Sequence, residues 1–167
     1  MEYSIKLYKE YFNFAASHFM VFKDGSREPL HGHNYRIKVQ GKTQCLDDDM
    51  VFDFVKIKPI IREICDGLDH KLILPKKNEH IKISSENQNC ILHLSNGDFF
   101  SIPQKDVLIL PILNTSAERL AYYLCHEIIS LTKKRYAFSF SAMDVEVEES
   151  IGQSASYSWQ KEQSEDV

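Results

Sequence analysis

Leu30-His31-Gly32-His33-Asn34-Tyr35 heads a segment in which the odd positions Tyr35, Ile37 and Val39 are apolar and the even positions Asn34, Arg36, Lys38 and Gln40 are polar. That period of two is the pattern of a half-buried β-strand, whose successive side chains point to opposite faces. His31 and His33 fall in the apolar register, so the strand turns two imidazoles toward the interior, where they need partners.

Working outward, residues 3 to 18 also read as a strand, but with a change of phase. Tyr3, Ile5 and Leu7 are apolar on odd positions, whereas Phe12, Phe14 and Ala16 are apolar on even ones. A β-bulge between the two halves is the expected cause. His18 continues the even series and joins the inner face. Lys23-Asp24-Gly25-Ser26 has a turn composition, so the two strands are expected to pair as a hairpin across residues 19 to 29.

Downstream, Asp53 is placed to cap a helix carrying Ile57, Ile60, Ile61, Ile64 and Leu68. Pro59 puts the regular part of that helix from near Lys58, and Gly67 is its expected stop. Residues 76 to 113 read as an insertion holding a hairpin, Ile91-Leu92-His93-Leu94 and Phe99-Phe100-Ser101-Ile102 around Asn96-Gly97. Thr115-Ser116-Ala117-Glu118 has capping-box spacing and opens a second helix with Leu120, Ala121, Leu124, Ile128 and Leu131 on one face. Lys133, Lys134 and Arg135 suit its C-terminal end. Met143, Val145 and Val147 then alternate with Asp144, Glu146 and Glu148, and a turn at Gly152 leads to a strand around Tyr157. Residues 1–160 are expected to form a single domain and the polar tail, 161–167, to fray.

The 167 residues are 43% hydrophobic, enough to bury a core, and the net charge of -4 gives no general attraction to nucleic acid or to an anionic membrane. No leader or membrane-length apolar stretch is visible, so a cytoplasmic location is expected. Cys45, Cys65, Cys90 and Cys125 are too widely spaced for a disulfide framework or a thiolate zinc knuckle.

Three histidines in phase on two paired strands match a catalytic zinc centre. Three neutral imidazoles leave the charge of the ion uncompensated and its fourth position open. Glu149 stands in the apolar register although Glu146 and Glu148 already fill the polar one. Either it pairs with a ligand presenting two parallel donors, or the alternation decays and it is exposed. Glu118 is, by spacing alone, a capping glutamate. Asp69-His70 reads as an oriented acid–base pair or as an ordinary loop dipeptide. Lys23, Arg27, Lys71, Lys76 and Lys77 can neutralise an anionic substrate or simply be solvated. His80, His93 and His126 show no role.

Phe14-Ala15-Ala16-Ser17-His18, Leu30-His31-Gly32-His33-Asn34-Tyr35, Leu68-Asp69-His70, Thr115-Ser116-Ala117-Glu118 and Val145 to Glu149-Ser150 together resemble, in order, the 6-pyruvoyl-tetrahydropterin synthase and 6-carboxytetrahydropterin synthase family. The resemblance implies an α+β tunnelling fold (T-fold), a four-stranded antiparallel sheet with two helices on one face, here with an inserted hairpin. It implies a homohexamer of two trimers, with active sites between subunits. It also implies Zn2+ on His18, His31 and His33, a pterin anchored by Glu149 and contacted by Glu118, and proton transfer by Asp69 and His70.

One departure stands out. Typical members carry a basic cysteine between the first zinc histidine and His-Gly-His, and here Glu28 takes that place. The resemblance is then to the variant called type III, associated with folate synthesis. The expected reaction is cleavage of the side chain of 7,8-dihydroneopterin triphosphate to leave 6-hydroxymethyl-7,8-dihydropterin. The alternatives are a 6-pyruvoyl- or 6-carboxy-tetrahydropterin synthase, or a catalytically silent hexamer binding pterin or zinc.

Overall fold

The computed structural model describes residues 2–162. In chain order the elements are β1 (Tyr3–Leu7), β2 (Asn13–His18), β3 (His31–Thr43), α1 (Phe54–Leu68), β4 (Lys71–Pro75), β5 (Ile81–Glu86), β6 (Asn89–Leu94), β7 (Phe99–Pro103), β8 (Val107–Leu110), α2 (Ala117–Tyr136), β9 (Ala142–Ser150) and β10 (Gln153–Gln160). The strand order of the main sheet is β10-β9-β3-β2-β4-β8, and β1 pairs with the far half of β3.

The fold is α+β, with the expected antiparallel strands at its centre: β1 and β2 together, then β3, β9 and β10. The phase change in the first strand has a larger cause than a one-residue bulge. Leu7 pairs with Val39 and Asn13 with Arg36, so residues 8 to 12 loop out opposite only Ile37 and Lys38. Phe12 roots the loop, fully buried and accepting the Ile37 N–H through its carbonyl at 2.8 Å.

Both helices cover one face. Ile57, Ile60, Ile61 and Leu68 of α1 and Leu120, Leu124 and Ile128 of α2 share a core with Phe14, Tyr35, Ile37, Val39, Val145 and Val147. Asp53 caps α1, accepting the Val55 N–H at 2.7 Å. The helix starts at Phe54 rather than near Lys58, because Pro59 sits in its second turn and removes a single backbone bond. It also runs past Gly67, and the left-handed residue that ends it is His70 (φ 56). The α2 cap is Ser116, whose hydroxyl accepts the Arg119 N–H, one residue beyond the expected Thr115.

The insertion holds more than a hairpin. β5, β6 and β7 form a separate three-stranded sheet, and β8 returns to extend the main sheet in parallel with β4. Because β4 is covered on both sides, its run after Lys71 is apolar. Ile73 enters the helix-covered core, while Leu72 and Leu74 enter a second one with Phe19, Ile81, Leu92 and Leu94. At the C-terminus Gln160 belongs to β10, and Lys161, expected to fray, donates its N–H to the Ser141 carbonyl. Residues 163–167 of the tail lie outside the described residues. No helix among the described residues is long and apolar enough to cross a membrane.

Candidate active site

Antiparallel pairing sets His18 opposite His31 and Ala16 opposite His33, so three imidazoles from two strands converge. One potential ligand atom from each lies within 4.8 Å of the others. His18 is buried, His33 half-buried and His31 at the exposed rim. The hydrogen bonds behind the rings select the tautomers. The Thr115 carbonyl accepts from His18 Nδ1 at 2.9 Å and the Pro29 carbonyl from His31 Nδ1 at 2.8 Å. A ring that donates through Nδ1 keeps a lone pair on Nε2 for a metal, the usual backing of a histidine ligand.

His18 Nε2 is buried without a hydrogen-bond partner. Glu149 Oε1 lies 3.3 Å from it and 3.6 Å from His33 Nε2, and the Tyr35 hydroxyl donates to the same oxygen at 3.3 Å. Burial pushes the His18 pKa below its usual value, more than the Thr115 carbonyl and Glu149 raise it, so its neutral form is favoured. A neutral nitrogen lone pair and a carboxylate oxygen facing each other repel unless positive charge lies between them. The cluster therefore fits a cation, and three imidazoles are a donor set for zinc. Burial, then the Glu149 carboxylate, push the Tyr35 phenol well above its usual value, so it stays a donor.

Glu28 lies on the return of the loop between β2 and β3, half-buried. Its Oε2 accepts the Met20 N–H at 3.1 Å, and its own N–H donates to the Met20 carbonyl at 3.0 Å. Its charge adds, as the smallest contribution, to the upward push on the Tyr35 phenol. Glu118 is exposed in the first turn of α2, and its side chain makes no hydrogen bond or ion pair among the described residues.

Asp69 and His70 are joined, Oδ2 to Nδ1 at 2.8 Å, and fastened to β2. Asp69 Oδ1 accepts the Ala15 N–H at 2.7 Å, and the His70 N–H donates to the Ala15 carbonyl at 2.7 Å. Ala15 lies three residues before His18, about 10 Å along an extended strand. The pair makes no hydrogen bond or ion pair with the three histidines among the described residues, although His70 and His33 line one cleft of about 460 Å³. It opens on a cleft of about 720 Å³ shared with Asn34, Arg36 and Glu148.

No thiol is near. Cys45 follows the far end of β3, and burial pushes the thiols of Cys65 and Cys125 up to about 12. Of the basic residues, Arg27 is held by Asp98 at 2.6 Å and Lys71 donates to the Lys105 carbonyl.

Two contributors escape the sequence pattern. Tyr35 shares the register of His33, the one available signal of its hydroxyl's role, but an aromatic residue there also reads as core. Thr115 acts through its carbonyl, and its own hydroxyl donates to the Phe19 carbonyl at 2.8 Å, a long-range contact with no local signature.

The model of the 6-pyruvoyl tetrahydropterin synthase family matches residues 6–160. A Methanocaldococcus jannaschii protein named as a 6-carboxy-5,6,7,8-tetrahydropterin synthase is 39% identical over 145 residues, 86% of this chain and 88% of its own length. The 6-pyruvoyl tetrahydropterin synthase of Plasmodium vivax superposes with a TM-score of 0.88 at 29% identity, over 96% of this chain and 99% of that one. A variant of the same P. vivax enzyme, in which a catalytic glutamate is replaced by alanine, gives 0.85 at 30% identity over the same shares.

Proposed function

The chain belongs to the 6-pyruvoyl tetrahydropterin synthase family, and from that premise we propose that it is a zinc-dependent lyase. Its substrate is 7,8-dihydroneopterin triphosphate, and it cleaves the side chain to leave 6-hydroxymethyl-7,8-dihydropterin. The observation that carries this reading is Glu28. A carboxylate stands in place of the cysteine of typical members, pinned to the Met20 amide in the loop that leads into His31. The catalytic glutamate of the P. vivax enzyme supports a carboxylate in that role.

His18, His31 and His33 would hold the zinc through their Nε2 atoms. A zinc ion there supplies Lewis-acid polarisation of the substrate's side-chain hydroxyls. Glu149, steadied by the Tyr35 hydroxyl, accepts two parallel N–H bonds from the pterin, a charge-assisted pairing that fixes the ring, and Glu118 adds a contact at the rim. Glu28 takes the proton of the 2′-hydroxyl. The O–H electron pair becomes the new carbonyl bond, the C1′–C2′ bond breaks, and its electrons pass into the conjugated C6=N5 imine. His70, oriented by Asp69 and contributed by a neighbouring copy, returns a proton to C1′. The second product is a two-carbon aldehyde bearing the triphosphate. The assembly is a homohexamer with sites shared between copies, as the family resemblance implies.

A second reading in the same fold, a 6-carboxytetrahydropterin synthase, is favoured by the name of the M. jannaschii relative. One experiment decides: incubate the zinc-loaded protein with dihydroneopterin triphosphate and identify the released pterin by chromatography and mass spectrometry. Hydroxymethyl product is expected. A carboxy or pyruvoyl product establishes a synthase, and no turnover establishes a silent binder. Glu28→Gln is expected to lower cleavage at least a hundredfold, the range of general-base contributions, with zinc content unchanged; undiminished cleavage removes Glu28 from the mechanism.

A further inference from the structure

The loop that carries Glu28 rests against the inserted sheet at three points. Phe19, at its start, stacks on Phe100 of β7 with ring centroids 5.5 Å apart. At its tip Gly25 (φ 83) approaches the sheet so closely that a Cβ there would lie 2.7 Å from Ser95 Oγ. Just past the tip Arg27, the residue before Glu28, reaches the β6–β7 turn, its Nε donating to Asp98 Oδ2 at 2.6 Å. The same guanidinium lies over the rings of Phe19 and Phe100, 5.4 and 4.9 Å from their centroids, and its second arm donates to the Glu28 carbonyl at 2.8 Å.

Each contact has a physical weight. The guanidinium is planar and presents donors in fixed directions, so one group can pair with a carboxylate, lie over aromatic faces and bond a backbone carbonyl at once. Those three partners come from the insertion, from the loop's start and from Glu28 itself. Arg27 thus ties the backbone of Glu28 to a sheet with its own buried core. From the other side the Glu28 N–H is held by the Met20 carbonyl, and Asn114 holds both backbone groups of Val21. The carboxylate keeps one oxygen on the Met20 amide.

We propose that Arg27 and Asp98 are positioning residues for Glu28: the insertion is a brace that holds the loop bearing the catalytic carboxylate in place. This rests on the reading of Glu28 as the proton acceptor. A mispositioned base reduces the rate of the proton-transfer step, while pterin recognition through Glu149, on another strand, is untouched.

The test uses the full-length zinc-loaded protein with Asp98→Ala, which keeps the backbone bonds of the turn, and Asp98→Glu, which restores the charge. Hydrogen–deuterium exchange of the peptide covering residues 19–30 is expected to speed up about fivefold in Asp98→Ala, the scale of a partly exposed ion pair. Peptides of β3 and α2 should be unchanged. In steady state kcat is expected to fall about fivefold with KM within about twofold, and Asp98→Glu to recover most of the loss. Arg27→Gln, which loses the ion pair and the ring contacts together, should show larger changes in the same directions. Unaltered exchange in residues 19–30 overturns the brace, as does a kcat unchanged by both substitutions, or a loss confined to KM. If wild-type protein releases no pterin product the lyase reading fails, and the exchange measurement still decides whether the insertion holds the loop.

Discussion

Asp69 shows what a single carboxylate does in this chain before any chemistry is asked of it. The Ala15 N–H first, and His70 second, hold its carboxyl below the usual carboxylate range. A folded-state value lowered in this way contributes stability that is fully present above the unfolded value, about 4, and is lost as the pH falls through the folded value. The melting-temperature difference between wild type and Asp69→Asn should therefore be present above about pH 4 and shrink as the pH falls below it. A difference that persists at about pH 3 assigns the effect to packing instead. At this scale the sequence is most informative where chemistry follows a local period: His18, His31 and His33 are legible because each obeys its strand's phase. Glu149 is legible for the opposite reason, an ionisable group in an apolar register. Tyr35 and Thr115 are not, because a hydroxyl on a core tyrosine and a backbone carbonyl leave no mark on the pattern.

Among elements, β3 is the strand against which the others are set, and Gly41 marks its tightest contact. A Cβ at Gly41 would fall 2.6, 2.9 and 3.2 Å from three atoms of the Phe140 ring, which is itself fully buried. Gly41→Ala is expected to cost about 1–3 kcal/mol in urea unfolding, the usual penalty of overpacking a core. Pairing it with Phe140→Leu should recover part of that loss. The helices were readable from their apolar spacing, and the Asp53 cap of α1 from its residue type, but the end of α1 past Gly67 and the cap of α2 were not. Thr115-Ser116-Ala117-Glu118 has the right residues for a capping box, and Ser116 takes the cap because the Thr115 hydroxyl is already committed to Phe19. β4 and β8 were hidden for a different reason. Short apolar runs in parallel pairing carry no alternation, and their partners lie far away in sequence.

For the molecule as a whole, the proposed sharing of each site between copies ties turnover to assembly. Sedimentation should find a species of six times the 19.4 kDa chain. Dilution or mild denaturant that yields single chains should abolish turnover before the fold is lost; fully active monomers would show that one chain is enough. The two cores meet at β4, which faces helices through Ile73 and the inserted sheet through Leu72 and Leu74. The insertion is thus not an appendage that descent could add or discard by splicing at its ends. A related chain lacking it would leave those two leucines and Phe19 bare to water, so such a chain is expected to bear polar residues at the matching positions. Its loop before the His-Gly-His motif would need another means of staying in place.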